Sequence, residues 1–226
     1  MTFPYMTGKG QWGAYARARD FSLKSFASGD TGKMANNSGT YFDPVKSAFI
    51  VRSFGQELSV SYPEGNVLFN GTDKTPPFSW SLCLLNYLFR ADGAALTQDI
   101  ISYRELENGH VYYAAFRREA INMLSSWLNG KDSELIAAAV KDLGGVIDGG
   151  ADLACTIYAF PRFPVYLKLW FPDEEMDGSA NILFNSSANH YQHTEDIAAI
   201  GELTAYFLVS QYNLLVTGKQ SIQNKY

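Results

Sequence analysis

The run from Asp152 to Val209 constrains the fold more than any other part of the chain. It holds three apolar, β-branched and aromatic segments, DLACTIYAF, VYLKLWF and ANILF, joined by a Pro-marked turn (PRFP) and an acidic one (PDEEMDGS). Short strands separated by turn residues pair as an antiparallel meander. A polar bridge, NSSANHYQH, leads into a long amphipathic helix opening at Thr194, with Ile197, Ile200, Leu203, Phe207 and Leu208 on its inner side and Gly201 allowing close approach. A sheet must cover its apolar face, so this helix is expected to roof the three strands.

Upstream, SAFIVRSF, ELSVSY and NVLF form a second set of short strands, broken by Gly55 and by Pro63-Glu64-Gly65. Apolar spacing predicts helices near 77–91, 111–128, 132–143 and 194–216. A less regular one between Gln11 and Phe26 would place Trp12, Tyr15, Ala16, Phe21 and Phe26 on one side. Thr75 before Pro76 and Pro77 reads as a helix cap, Thr194 as another, and Gly93 and Gly144-Gly145 as stops. Residues 95–106 read as an extended connection containing a strand, 146–152 as a loop, and 1–9 and 28–40 as flexible segments. The expectation is one α+β domain over 1–226: an antiparallel sheet built from two meanders, with about four to five helices packed largely on one face.

An aromatic content of 15%, with 14 Tyr and 15 Phe, supplies the broad buried surfaces such a fold needs. Net charge is −5 and the pI is near 5.2, with Lys and Arg scattered, so neither nucleic acid nor an anionic membrane is an expected partner. The first residues lack the basic and apolar succession of a signal peptide, and no apolar run approaches about 18 residues. Cys83 and Cys155 sit in apolar runs without the spacing of a zinc or iron–sulfur site. A cytoplasmic chain is expected.

Two polar clusters are candidates for a site. Asp173, Glu174, Glu175 and Asp177 lie between two strands, where carboxylates bind a hard cation or share acid and base roles; the same residues also suit a solvated hairpin tip. His190 and His193, followed by Glu195 and Asp196, offer imidazole and oxygen ligands, so His190, His193, Asp173 and Glu175 are the candidate metal ligands. The first turn of a helix equally favours Glu195 and Asp196 for their charge alone. If the acidic turn folds beside the helix start, both clusters share one mouth. His110, alone beside Gly109, offers less. No GxSxG, phosphate loop or dinucleotide fingerprint occurs, and the cofactor stays unassigned.

The segments LLNYLFRADGAAL, ISYREL, YYAAFRR and FPRFPVYLKLWFPDEEMDGSANILFNSSANHYQHTEDIAAIGE resemble, in order and spacing, the bacterial and archaeal family known as domain of unknown function 3786. The resemblance spans residues 49–208 and brings no catalytic residues with it. Some relatives carry an N-terminal four-cysteine iron–sulfur segment like those of corrinoid proteins, which this chain lacks. The resemblance therefore implies a setting, anaerobic redox or corrinoid-linked one-carbon metabolism, with an iron–sulfur or corrinoid protein as partner. Asn185 stands where that family more often carries Asp. The functional expectation is an accessory or ligand-binding module without catalysis of its own; the alternatives are a carboxylate and histidine metal-dependent hydrolase and a structural interaction subunit.

Overall fold

Each of the two meanders builds a sheet of its own. The computed structural model describes residues 3–8 and 15–217. In the first sheet, β1 (Tyr41–Asp43), β2 (Ala48–Ser53), β3 (Gln56–Ser61) and β4 (Val67–Phe69) lie in chain order, all antiparallel. The second sheet has the order β5-β9-β8-β7-β6 and is also antiparallel. Its centre is the expected meander: β7 (Leu153–Phe160), β8 (Phe163–Trp170) and β9 (Ser179–Asn185). Two short strands flank it. β5 (Ile100–Ser102) falls in the expected extended connection, and β6 (Val146–Asp148) replaces the expected loop at 146–152. The fold class is α+β, as the sequence pattern indicates.

The hairpin between β2 and β3 joins the sheets. Phe54 (φ 46°) and Gly55 (φ 73°) form its two-residue turn, in the left-handed conformation that suits the strand twist. Phe54 occupies a position that favours smaller residues because its ring is buried against Trp80 and Phe207 and its N–H donates to the Tyr158 carbonyl at 3.0 Å. A Cβ on Gly55 would lie 2.8 Å from the Leu143 carbonyl carbon, so the close approach requires glycine.

The helices are α1 (Ala16–Ala27), α2 (Thr31–Ser38), α3 (Phe78–Arg90), α4 (Gly109–Phe116), α5 (Met123–Trp127), α6 (Ser133–Asp142) and α7 (Thr194–Thr217). A π-helical turn, Arg117–Asn122, fuses α4 and α5 into one rod, leaving six helices among the described residues. Its buried positions Phe116, Ala120, Leu124 and Leu128 come four apart, wider than the 3.6 of an α turn, and i→i+5 bonding keeps them on one side. α5, α6 and α7 pack against strands of the second sheet. Ile197, Ile200, Leu203, Phe207 and Leu208 of α7 are all fully buried, each contributing about 1.5–3 kcal/mol. Among the described residues no helix is long and apolar enough to cross a membrane.

Several local expectations need correction. The segment 28–40 holds helix α2: Asp30 caps it through a 2.7 Å bond from the Lys33 amide, Gly39 (φ 68°) ends it, and Met34 and Ser38 are buried. Residues 3–8 are packed, with Tyr5 and Met6 in the core and the Tyr5 hydroxyl donating to Gln211 Oε1 at 2.6 Å; residues 1, 2 and 9 lie outside the described residues. Thr75 does not cap α3: the N-cap position falls on Pro77, two residues later, and the Thr75 hydroxyl donates to the Gly8 carbonyl at 2.8 Å. Thr194 is the first residue of α7, and its hydroxyl donates to the Glu107 carbonyl at 2.5 Å while accepting from Asn189 Nδ2 at 3.0 Å. α1 begins at Ala16, and Phe21 and Phe26, five residues apart, face opposite ways: Phe26 is buried and Phe21 is 64% exposed. Trp12, in the same expected helix, lies outside the described residues.

Candidate functional site

The two expected clusters sit at opposite ends of β9. The acidic turn precedes Ser179, whereas the histidines follow Asn185, so a strand of seven residues, about 20 Å at ~3.3 Å per residue, separates them. The turn closes on itself: Asp173 Oδ1 accepts from the amides of Glu175 (2.9 Å) and Met176 (2.8 Å), which hold its carboxyl below the usual range. Glu174, Glu175 and Asp177 point into solvent. Gly178 N–H, on the same turn, donates to Asn129 Oδ1 beside α5.

The histidines part company as well. His190 Nδ1 lies 2.7 Å from Asp92 Oδ2 on the loop after α3, and this contact holds the Asp92 carboxyl below its ordinary range. His193 instead lines a groove together with Glu195 and Asp196. His110 is exposed in the first turn of α4. Among the described residues no group of three or more His, Cys, Asp or Glu is placed to hold a metal ion. The shared mouth between the acidic turn and the helix start is therefore not formed.

The groove is the structure's main candidate site. It has a volume of about 580 Å³ and lies between α1, α3 and the first two turns of α7. Aromatic side chains make its walls. Tyr15 packs on Phe78 with ring centres 4.7 Å apart, and Phe21 meets Phe89 edge-on at 6.4 Å. At its centre runs a chain of hydrogen bonds: Ser22 Oγ donates to Asn86 Oδ1 (2.5 Å), and Asn86 Nδ2 donates to Asp196 Oδ2 (3.0 Å). Each element contributes one member, so the chain ties α1 to α3 and α3 to α7.

Burial sets the electrostatics. It raises the Asp196 carboxyl above its usual value, against the Asn86 hydrogen bond and the more distant His193 and Arg90. Cys83 lines the same groove, and burial followed by the Asp196 charge pushes its thiol well up, so it stays protonated and unreactive. Cys155, away from the groove, is pushed up to about 12 by burial. Glu195 Oε1 accepts from the Tyr112 hydroxyl at 2.7 Å. The described residues that line the groove bring hydrogen-bonding and aromatic groups together.

Of the sequence-derived candidates, His193, Glu195 and Asp196 reach this groove, while His190, Asp173, Glu174 and Glu175 do not. Ser22, Asn86, Phe21 and Phe89 were not legible as site residues. The sequence puts Phe21 on the apolar side of its helix with Phe26, and no local pattern marks Ser22, Asn86 or Phe89.

The family model for Domain of unknown function (DUF3786) matches residues 30–207. The chain belongs to this family. The DUF3786 match takes in the α3 and α7 walls of the groove, including Asn86 and Asp196, whereas α1 precedes it. No curated protein and no solved structure matches the chain.

Proposed function

We propose that this DUF3786 chain is a cytoplasmic accessory module that binds a small organic ligand in the groove between α1, α3 and α7, without catalysis of its own. One observation carries the reading: a half-buried carboxylate, Asp196, is held by the Ser22–Asn86 chain at the centre of an aromatic-walled groove. Ligand sites are typically concave, about 300–1,000 Å³, largely apolar and furnished with a few fixed polar groups. The volume of about 580 Å³ falls within that range. Two buried free thiols fit a reducing compartment. The family resemblance supports a role beside an iron–sulfur or corrinoid protein, to which the module would present its ligand.

Mass spectrometry of small molecules released from natively purified protein tests the binding reading. A compound retained in near-stoichiometric amount by the wild type and lost in Phe21→Ser is expected, because Phe21 is exposed and its loss leaves the core intact. Retention that is indifferent to Phe21 would place the ligand elsewhere.

A further inference from the structure

The charges around the groove are unequal, and this identifies the class of ligand; the inference rests on the binding reading above. Among the described residues that line the groove, the acidic ones are Glu195, Asp196 and Glu202 and the basic ones Arg90 and His193. Asp196 Oδ2 accepts one hydrogen bond, from Asn86. The ion pairs Lys46–Asp43, Arg118–Glu119 and His190–Asp92 all lie away from Asp196. A half-enclosed carboxylate with one neutral hydrogen-bond donor, and with His193 and Arg90 only at longer range, is incompletely compensated for its burial.

The N-terminus of α7 would otherwise attract an anion, but its first turn already carries Glu195 and Asp196. The walls point the same way. Aromatic faces at Tyr15, Phe21, Phe78 and Phe89 accept a flat apolar body and also favour a cation near their π-faces. A cationic donor on such a body would complete the hydrogen bonding of Asp196 while its apolar part excludes water.

We propose that the groove binds an organic cation, an amine or amidine borne on an aromatic or similarly flat apolar body, with the charged group on Asp196. Three probes of matched shape separate charge from shape: 2-phenylethylamine, 2-phenylethanol and 3-phenylpropanoate, titrated calorimetrically into the full chain at neutral pH and low salt. The amine should bind about tenfold or more tighter than the alcohol, and the carboxylate weakest of all. Asp196→Asn, which keeps an acceptor for Asn86, should bring amine and alcohol to within about twofold of each other without weakening the alcohol. Phe21→Ala should weaken amine and alcohol alike. A carboxylate that binds as tightly as the amine, or an amine preference that survives Asp196→Asn, would overturn the assignment. Binding of the alcohol without preference for the amine defeats the charge assignment and leaves the binding module standing. Failure of all three probes to saturate the wild type defeats both.

Discussion

Asn86 Nδ2 stands 3.0 Å from Asp196 Oδ2, so the middle of α3 holds the first turn of α7 across 110 residues of chain. The same turn is fixed from other directions. Gln192 Nε2 donates to the Cys83 carbonyl at 2.7 Å, and the Tyr103 hydroxyl donates to the Thr194 carbonyl at 3.0 Å. Groups held by packed helices and a surrounding layer of hydrogen bonds keep their positions better than groups on loops. That rigidity makes the groove's behaviour testable through stability as well as binding.

Asp196 has a folded-state pKa above its unfolded value, because burial outweighs its favourable contacts. Folding therefore takes up protons at this site, and its contribution to stability is fully present below the unfolded pKa, about 3.9, and lost as pH rises through the raised folded value. Asp196→Asn removes that penalty. The variant should melt above the wild type at pH 7, and the gap should narrow as pH falls toward about 4. Thermal melts of both proteins across this window check the sign; a gap that widens on acidification would mean the carboxylate is stabilising as an anion.

Gly201 sits where α7 crosses the rod formed by α4 and α5. A Cβ there would come within 2.6 Å of Phe116 Cε2 and 3.2 Å of Phe184 Cζ. Phe116 cannot withdraw freely, because it stacks on Tyr103 with ring centres 4.4 Å apart. Alanine gains about 1 kcal/mol of helix propensity, while overpacking costs about 1–3 kcal/mol, so Gly201→Ala should be destabilising on balance. Denaturant midpoints should fall for the single variant and recover when Phe116→Leu is added, since the smaller side chain frees the space that the added methyl group takes.

Tyr5 anchors the N-terminal segment. Its hydroxyl donates to Gln211 Oε1 at 2.6 Å, while Gln211 Nε2 donates to Asp142 Oδ2 at 2.6 Å, linking residues 3–8 to α7 and α6. Burial and the charge of Asp142 drive the phenol far above its usual pKa, so it stays a donor at every working pH. Tyr5→Phe leaves a buried acceptor unmet and should cost about 1–2 kcal/mol in chemical denaturation. A cost near zero would show the segment contributing through its apolar ring alone.

The sheet nucleus was legible because strands and turns leave local marks. β7, β8 and β9 follow from apolar runs broken by Pro161 and the acidic turn, and α7 from the spacing of Ile197, Ile200, Leu203 and Phe207. α2 was hidden because its eight residues carry a single large apolar side chain, Met34; the capping Asp30 and terminal Gly39 were its only signs. The π turn appears in the sequence solely as a four-residue spacing of buried positions. Of the groove, the sequence offered only the α7 side, His193, Glu195 and Asp196. Ser22, Asn86 and Asp196 come from three helices distant in sequence, and no periodicity encodes which polar residues of separate helices will meet. The histidine pair misled for the converse reason: three residues apart in sequence, His190 and His193 engage different surroundings once the chain turns between them.

Asn185 shows what a buried polar residue at a strand end can do without being a site. Its Oδ1 accepts from the Thr97 amide (3.1 Å) and hydroxyl (3.1 Å) and from the Ser187 amide (3.2 Å) and hydroxyl (2.7 Å). Its Nδ2 returns a bond to the Thr97 carbonyl at 2.9 Å. One side chain thus satisfies both polar backbone groups of Thr97 and fixes the exit from β9 toward the bridge that leads to α7. Replacing it by Ala leaves the buried Ser187 donors unmet, at about 1–3 kcal/mol for each buried group, while the groups of the exposed Thr97 can turn to water. Partial rescue by water and relaxation brings the expected loss for Asn185→Ala to about 2–4 kcal/mol, measured by chemical denaturation. Asn185 lies off the groove, so ligand binding by the folded fraction should match the wild type. A variant of undiminished stability would show that the clamp is dispensable; one that folds normally yet binds nothing would make Asn185 part of the site.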